Sequence, residues 1–599
     1  MLVGAICLEH VAFSSSPTAL ATSSNQTMAE NATDPAALEG SFDALNSTLA
    51  NGQSWLSSFA HIKDLSFVML EVRLVLSAIG IIYLGAHAAL RRPPSAQPAK
   101  KKKPGSKGDD EESFAQGLEP SDAIVFPLMA GAVLIGLYYL IQWLKDPDIL
   151  NKILRWYMST MSVASLVSIY SHGIEVVTSL AFPRYWRSRD GRLREADQKT
   201  RSVQVCDDAG NPDAAIPKSQ NPFPGPVAYL AFSDKIRKSG WELRGLLKRH
   251  WAIKLFVHGM GKEEGRIKFA HVVSLVMALA TALIYSSTNS PLLSNMLGYA
   301  MCYGSLQLIS PTDFLTSTLI LVGLFFYDII MVFYTPYMVT VATKLEVPFK
   351  LTFEAADRKS ILGLGDIVIP GMVMALALRF DLWLHYDQKI KYESTDLKLI
   401  EKDPTSGALI VRSETKHKEV KAKYVNVKGK WGDGLWTRKA LFIFGSQQLP
   451  PDLAAAHFRK TYFHASVIGY LLGMLVTLAM LLIFKRGQPA LLYLVPGVLG
   501  SLWLTGLVRG EIKQMWKYTE DGSLDKIDVV VDLDGEGNAI KTLGKLEDGV
   551  VDTTKKDEKT DGDKHKDKED GKAKEGDKSE SKEDRHVFLL SIDAESDTE

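Results

Sequence analysis

The stretch Gly323–Phe333 (GLFFYDIIMVF) sets one acid, Asp328, in an otherwise uncharged apolar run, and Ile361–Gly371 (ILGLGDIVIPG) does the same with Asp366. An ionised carboxylate at the centre of a bilayer costs about 2.5–3.5 kcal/mol on insertion scales, so an acid kept there is a functional candidate by default. Neither stretch contains a Lys or Arg to neutralise it. The cheapest remaining solution is mutual: two carboxyls share one proton, one staying ionised as general base while the other donates.

Around these two runs the apolar residues gather in stretches of roughly 18–22, enough to cross a hydrocarbon core of about 30 Å at 1.5 Å per residue. The bulk composition of the 599 residues, 46% hydrophobic and 23% charged, conceals that segregation. Nine spans are expected, at 68–90, 124–144, 156–180, 269–285, 292–309, 314–334, 361–384, 463–484 and 489–508, which makes the chain an all-α polytopic membrane protein. Three Asn-x-Ser/Thr sequons, at Asn25, Asn31 and Asn46, mark residues 1–64 as a lumenal, glycosylated segment. Arg91 and Arg92, Arg184 and Arg187, Arg266 and Lys268, and Arg459 and Lys460 then fall on cytosolic span ends, as the positive-inside rule requires. The division that follows is 65–183 for the first three spans, 184–268 for a basic cytosolic loop, 269–510 for a core of six spans with a cytosolic loop at 385–462, and 511–599 for a cytosolic tail. From about residue 550 that tail should be disordered, because 553–586 is a Lys, Glu, Asp, Gly and Ser tract without an apolar face. The interrupted apolar segments Leu2–Cys7 and Val11–Phe13, without a basic n-region, give only weak support to a cleaved signal peptide.

The two acids fall at similar depth in consecutive antiparallel spans. Asp328 lies six residues before the expected end at Tyr334 and Asp366 five after the expected start at Ile361, roughly 7–9 Å from one membrane face. Gly363 and Gly365 remove side chains just before Asp366, allowing close backbone approach and weakening the local helix. Pro489 opens the last span without an amide donor, as suits a helix start.

Tyr327-Asp328, Gly363-Leu364-Gly365-Asp366 and Pro489-Ala490-Leu491 stand in the order found in the signal peptide peptidase family, relatives of presenilin, and the chain resembles that family over roughly residues 65–510. Phe326–Ile329 (FYDI), Met338–Ala342 (MVTVA), Leu362–Gly371 (LGLGDIVIPG), Leu378–Asp381 (LRFD) and Gln488–Pro496 (QPALLYLVP) carry the same likeness. The resemblance implies a presenilin-like fold of nine helices, with Asp328 and Asp366 as catalytic pair and Tyr327 a wall beside the first. Gly363, Leu364 and Gly365 would form a backbone platform for substrate, and Pro489, Ala490 and Leu491 a gating and strand-aligning element. It further implies cleavage of single spanning helices of type II orientation, notably remnant signal peptides. Residence in the endoplasmic reticulum membrane, no metal or organic cofactor, and no nucleic-acid partner are also implied, and a homo-oligomer is allowed. The final residues Ser596–Glu599 (SDTE) hold no Lys-Lys retrieval signal, so that residence comes from the resemblance alone.

Two other classes compete. A proton-coupled transporter would also keep acids in broken spans, and a non-catalytic scaffold could recognise helices without cutting them. The joint motif set disfavours the first and the presence of both acids the second. His-Glu-x-x-His and Gly-x-Ser-Gly motifs are absent from the spans, and Cys7, Cys206 and Cys302 have no metal-ligand spacing. His172 and Glu175 read as ordinary hydrogen-bonding residues near a span end, Asp381 as interfacial and Asp313 as a helix cap. Trp241, Leu246, Trp251 and Phe256, interleaved with Lys248, Arg249 and Lys254, read either as an amphipathic helix on the membrane surface or as a helix packed on the protein.

Overall fold

Apolar runs in hydrocarbon must satisfy their own backbone groups, and a single run can do so only as a helix. The computed structural model describes residues 62–97, 116–144, 147–188, 190–207, 210–213, 216–257, 261–288, 290–345, 350–355, 358–402, 409–437, 451–454, 457–484, 488–524, 529–533, 539–545, 550–552 and 588–594. The three sequons and the tract 553–586 lie outside them. The α-helices of six residues or more are α1 (Ile62–Ala88), α2 (Asp122–Leu144), α3 (Pro147–Ala181), α4 (Asp234–Lys248), α5 (Phe269–Thr288), α6 (Pro291–Leu308), α7 (Phe314–Phe333), α8 (Tyr337–Lys344), α9 (Gly365–Asp387), α10 (Trp431–Thr437), α11 (Thr461–Phe484), α12 (Leu491–Arg509) and α13 (Ile512–Lys517). Among the described residues eight of them, α1, α2, α3, α5, α7, α9, α11 and α12, are long and apolar enough to cross a membrane. The remaining expected span is α6, an 18-residue helix made less apolar by Asn295 and Gln307 and packed on α1, α3 and α9. The protein is thus a multi-pass, predominantly helical membrane protein.

Helix α9 is the hub. It contacts α1, α6, α7, α11 and α12, and 100% of its apolar window is buried, against 28% for the peripheral α5. Periodicity explains the contrast. On α7, Leu315, Leu319, Val322, Phe326, Ile330 and Phe333 recur at three- and four-residue steps and stand outward, while Ser317, Leu321, Leu324 and Asp328 turn inward. Lipid tails are as apolar as leucine, so close packing, and not exclusion of water, holds such helices together. The tightest seam is α11 with α12: a side chain on Gly469 would strike the Gly497 carbonyl, and one on Gly497 the Gly469 carbonyl, so the two backbones touch.

The connecting segments carry β1 (Gln116–Leu118), β2 (Tyr185–Arg187), β3 (Leu193–Asp197), β4 (Ser202–Cys206), β5 (His250–Val257), β6 (Gly261–Lys268), β7 (Ile309–Pro311), β8 (Lys350–Ala355), β9 (Arg358–Gly363), β10 (Lys391–Lys402), β11 (Leu409–Val420), β12 (Val529–Leu533), β13 (Ala539–Lys545), β14 (Val550–Asp552) and β15 (Phe588–Ala594). They form separate small sheets of order β1-β7, β2-β3-β4, β15-β5-β6, β8-β9 and β13-β12-β11-β10-β14. The aromatic and basic stretch after Gly225 is therefore not one helix. After a 3-10 helix at Gly225–Leu230, only α4 is α-helical; its Trp241 packs with Trp186, Ala196 and Val203 of the β2-β3-β4 sheet, and Trp251 and Phe256 belong to β5.

At the far end of α9 from Asp366 the polypeptide after α13 folds back into the bundle. Glu520 pairs with Arg379 of α9 at 2.8 Å and with Arg91 just beyond α1, and it accepts the Tyr518 hydroxyl at 2.5 Å. Asp381, read as interfacial from its place near a span end, is buried in the protein and accepts the amides of Tyr462 at 3.2 Å and Phe463 at 2.9 Å, capping α11. Asp313 caps α7 through the Thr316 amide, as its sequence position indicates. Burial pushes the Glu520 carboxyl up, but Arg379, Arg91 and the Tyr518 hydroxyl together hold it below the usual glutamate value. Because the folded-state value is depressed, this stabilisation is complete above the ordinary value of 4.5 and is lost as pH falls below it. Glu520→Ala, which strands the buried Arg379, should cost about 3–5 kcal/mol. Thermal melts of the detergent-purified protein check this, and the gap from wild type should close as the pH is lowered below 4.5.

Candidate active site

Three elements converge on the two acids. Asp328 projects inward from the last third of α7, Asp366 sits in the first turn of α9, and the start of α12 packs against both helices. Asp328 and Asp366 are each 1% exposed, and their carboxyls are near enough to feel one another's charge. The two acids are near one another, as their matched positions suggest, but the start of the second span differs. Residues 361–363 end strand β9 and do not belong to a helix, so Asp366 is the second residue of α9. The sequence reading took apolarity as helix through Gly363 and Gly365, where glycine disfavours it, while pairing with β8 supplies the backbone bonds that make the strand.

The environments of the two acids are unequal. Asp328 Oδ2 accepts the Leu491 amide at 3.1 Å, one of the donors that the first turn of α12 leaves without an intrahelical acceptor. The acid thus caps, from another helix, the span that Pro489 and Ala490 open. Both of those residues are buried, as is Leu491. Asp366 Oδ2 is buried with no hydrogen-bond partner among the described residues. Its backbone carbonyl accepts the Tyr470 hydroxyl of α11 at 3.3 Å. The donor is needed because Pro370, four residues on, has no amide to close that turn. Tyr470 is fully buried and was not singled out from sequence; a Pro four residues after a buried acid is the signal that points to such a partner.

The other residues singled out from sequence lie around this core. Tyr327 is buried beside Asp328 and faces Gly131 of α2. Gly363, Leu364 and Gly365 are buried in the strand-to-helix joint, and neither glycine has a positive φ, so small size and not a left-handed backbone is what they contribute. The hairpin that delivers them is tied to the bundle at two points. Asn295 of α6 exchanges two hydrogen bonds of 2.8 Å with the amide and carbonyl of Thr352 on β8, and Glu71 of α1 bonds Ser360 of β9. A glutamate inside the first span thereby has its partner. His172 bonds the Tyr303 hydroxyl and Glu175 pairs with Lys268 at 2.7 Å, so both have ordinary structural partners away from the two acids. Among the described residues no cluster of His, Cys, Asp and Glu could hold a metal ion.

Two enclosed acids whose carboxyls feel one another's charge, beside a strand that leads into one of them, mark a multi-pass membrane protein with a paired-carboxyl site. Residues 110–522 match the family model described as signal peptide peptidase, and the chain belongs to that family. It is 27% identical to the protein named Probable intramembrane protease of Saccharomyces cerevisiae, over 68% of this chain and 62% of that one. It is 28% identical to the Signal peptide peptidase of Homo sapiens over 49% and 63%, and 32% identical to a Probable intramembrane protease of Schizosaccharomyces pombe over 42% and 66%. The chain therefore spans slightly less than two thirds of the length of these relatives.

The geometry orders two substitutions. Gly469→Val must push α11 off the fixed Gly497 carbonyl and carry the α12 start with it, so it should destabilise by several kcal/mol. Tyr470→Phe removes one donor without changing shape and should cost about 1–2 kcal/mol. Thermal unfolding of the two variants in detergent tests the order; a Tyr470→Phe loss equal to that of Gly469→Val would contradict it.

Proposed function

We propose that this protein is an intramembrane aspartyl protease that cuts peptide bonds within spanning helices of type II orientation, including remnant signal peptides, in the endoplasmic reticulum membrane. The observation that carries the reading is the pair of enclosed carboxyls, one held by a helix-terminal amide and one with an oxygen left without a partner. An N–H aimed at a carboxylate stabilises its ionised form, so Asp328 takes the role of base and Asp366 that of acid. Both acids lie near a helix N-terminus, but only Asp328 receives its amide directly.

The chemistry then follows. Asp328 removes a proton from a water held between the carboxyls as that water's oxygen bonds to the scissile carbonyl carbon, and Asp366 gives its proton to the carbonyl oxygen. The resulting gem-diol collapses: the C–N bond breaks, the departing nitrogen takes the proton from Asp328, and a proton of the diol returns to Asp366. No covalent intermediate forms.

A helical substrate hides its carbonyls in its own hydrogen bonds and must unwind to be cut. The hairpin supports a place for the unwound chain. Thr352 and Ile361 are directly opposed, and Thr352 bonds outward to Asn295, so this is the non-hydrogen-bonded kind of pair and Ile361 likewise turns its amide and carbonyl away from β8. No described strand pairs with that outer edge of β9. An extended substrate adding there would run toward Asp366, with Gly363 and Gly365 leaving room for its backbone.

Turnover of a tagged signal-peptide helix by the purified protein tests the assignment. Asp328→Ala and Asp366→Ala should each lower it by at least about 10²–10⁴-fold, the usual worth of a positioned acid or base. Cleavage persisting in either variant sinks the protease reading, and ion flux abolished by both would mark a transporter. For the strand edge, Ile361→Pro removes an outward amide at an edge where proline is tolerated; it should cut turnover at least about fivefold, the worth of one lost hydrogen bond, while leaving the melting temperature near wild type.

A further inference from the structure

A cavity of about 840 Å³ opens at the opposite end of the bundle from the two acids. Its walls are the C-terminal ends of α1, α3 and α6, the N-terminal ends of α5 and α11, and the segment around α10. Those ends all lie on one face, since successive spans alternate in direction. The face is that of Asp381, whose carboxylate caps α11. From Asp366 to Asp381 is fifteen residues of α9, roughly 22 Å at 1.5 Å per residue. The cavity is therefore separate from the site described above.

Its lining is cationic. Lys428, Lys430, Arg459 and Lys460 face it, whereas Glu175 is the single carboxylate among its described lining residues and is already bonded to Lys268. Lys460 is held in position: its ammonium donates to His87 Nε2 at 2.8 Å and lies 5.4 Å from the centre of the Phe458 ring. His87 Nδ1 faces the Tyr83 carbonyl at 2.8 Å, an acceptor, so the proton sits on Nδ1 and the Nε2 lone pair receives Lys460. The ammonium is thus oriented by a neutral ring. Apolar surface adjoins the cavity: Leu435 on its rim is 61% exposed, and from His271 in the lining α5 runs into the outward residues Val272, Leu275, Val276 and Leu279.

We propose that this cavity binds the phosphate-bearing headgroup of an anionic phospholipid. Concave clusters of Lys and Arg between spanning helices, at the level where a chain enters the bilayer, have the chemistry that holds lipid phosphates. The lipid-facing stripe of α5 gives the acyl chains a path that a soluble anion would not use. The inference does not depend on the protease reading.

The test uses the full chain reconstituted in phosphatidylcholine nanodiscs and titrated with a fluorescent short-chain phosphatidylinositol bisphosphate. Binding should saturate, and Lys428→Gln/Lys430→Gln/Arg459→Gln should weaken it at least about tenfold. Lys428→Arg/Lys430→Arg should bind like wild type, as should Lys389→Gln/Lys391→Gln/Lys418→Gln, which removes the same charge outside the cavity. If the cavity triple variant melts early, its three single variants replace it, each expected to weaken binding. Undiminished binding in the cavity Gln variants, or equal loss in the control triple, overturns the proposal. Inorganic phosphate displacing the probe at equal concentration overturns the lipid as the source and leaves a free-anion site.

Discussion

A carboxylate enclosed by apolar helices must find a donor inside the protein, and the contact between Asp328 and the Leu491 amide answers that demand. One hydrogen bond joins two requirements that would each be costly alone. The acid needs a donor, and the first turn of α12 needs an acceptor for an amide that no earlier turn can satisfy. The arrangement holds only if α12 begins where α7 presents its acid. That placement rests on the α11–α12 seam, where Gly469 and Gly497 let the backbones touch.

Helix α9 is pinned at both ends by the same logic applied to different groups. Near Asp366 the Pro370 gap is filled by the Tyr470 hydroxyl. At the other end Arg379 and Asp381 face each outer layer in turn, Arg379 bonding the returning segment through Glu520 and Asp381 the first turn of α11. A helix buried on every side has no lipid-facing surface along which to slide. Its charged and polar bonds fix its height, and with it the height of Asp366 opposite Asp328.

Sequence alone carried the spans and the pairing of the acids, because long apolar runs and isolated intramembrane carboxylates have few physical explanations. The family motifs located Leu491, but its amide's role as the donor to Asp328 is a matter of three-dimensional register that no motif states. Tyr470 cannot be picked out from sequence, because a tyrosine in an apolar span is ordinary until the proline gap it fills lies beside it. Asp381 was read from its distance to a span end, which cannot reveal that the start of α11 packs over it. The segments 184–268 and 385–462 read as loops from their charge; their strands alternate too weakly, among many lysines and glutamates, to be told from coil.

The strand-to-helix joint at Gly363–Asp366 ties fold to chemistry. Had the helix begun at Ile361, as apolarity alone would allow, the backbone just before Asp366 would have spent its carbonyls on its own turns and aimed its amides along the helix axis. Ending the strand at Gly363 keeps those groups directed sideways, on the edge that Asn295 does not reach. A hydrocarbon interior normally forbids such an exposed edge. It is tolerated where protein encloses it, and here α1 holds β9 through Glu71 and Ser360 while α6 holds β8 through Asn295. On the protease reading proposed above, the cost of keeping that edge open is what an unwound substrate segment, itself short of hydrogen-bond partners, would relieve on binding.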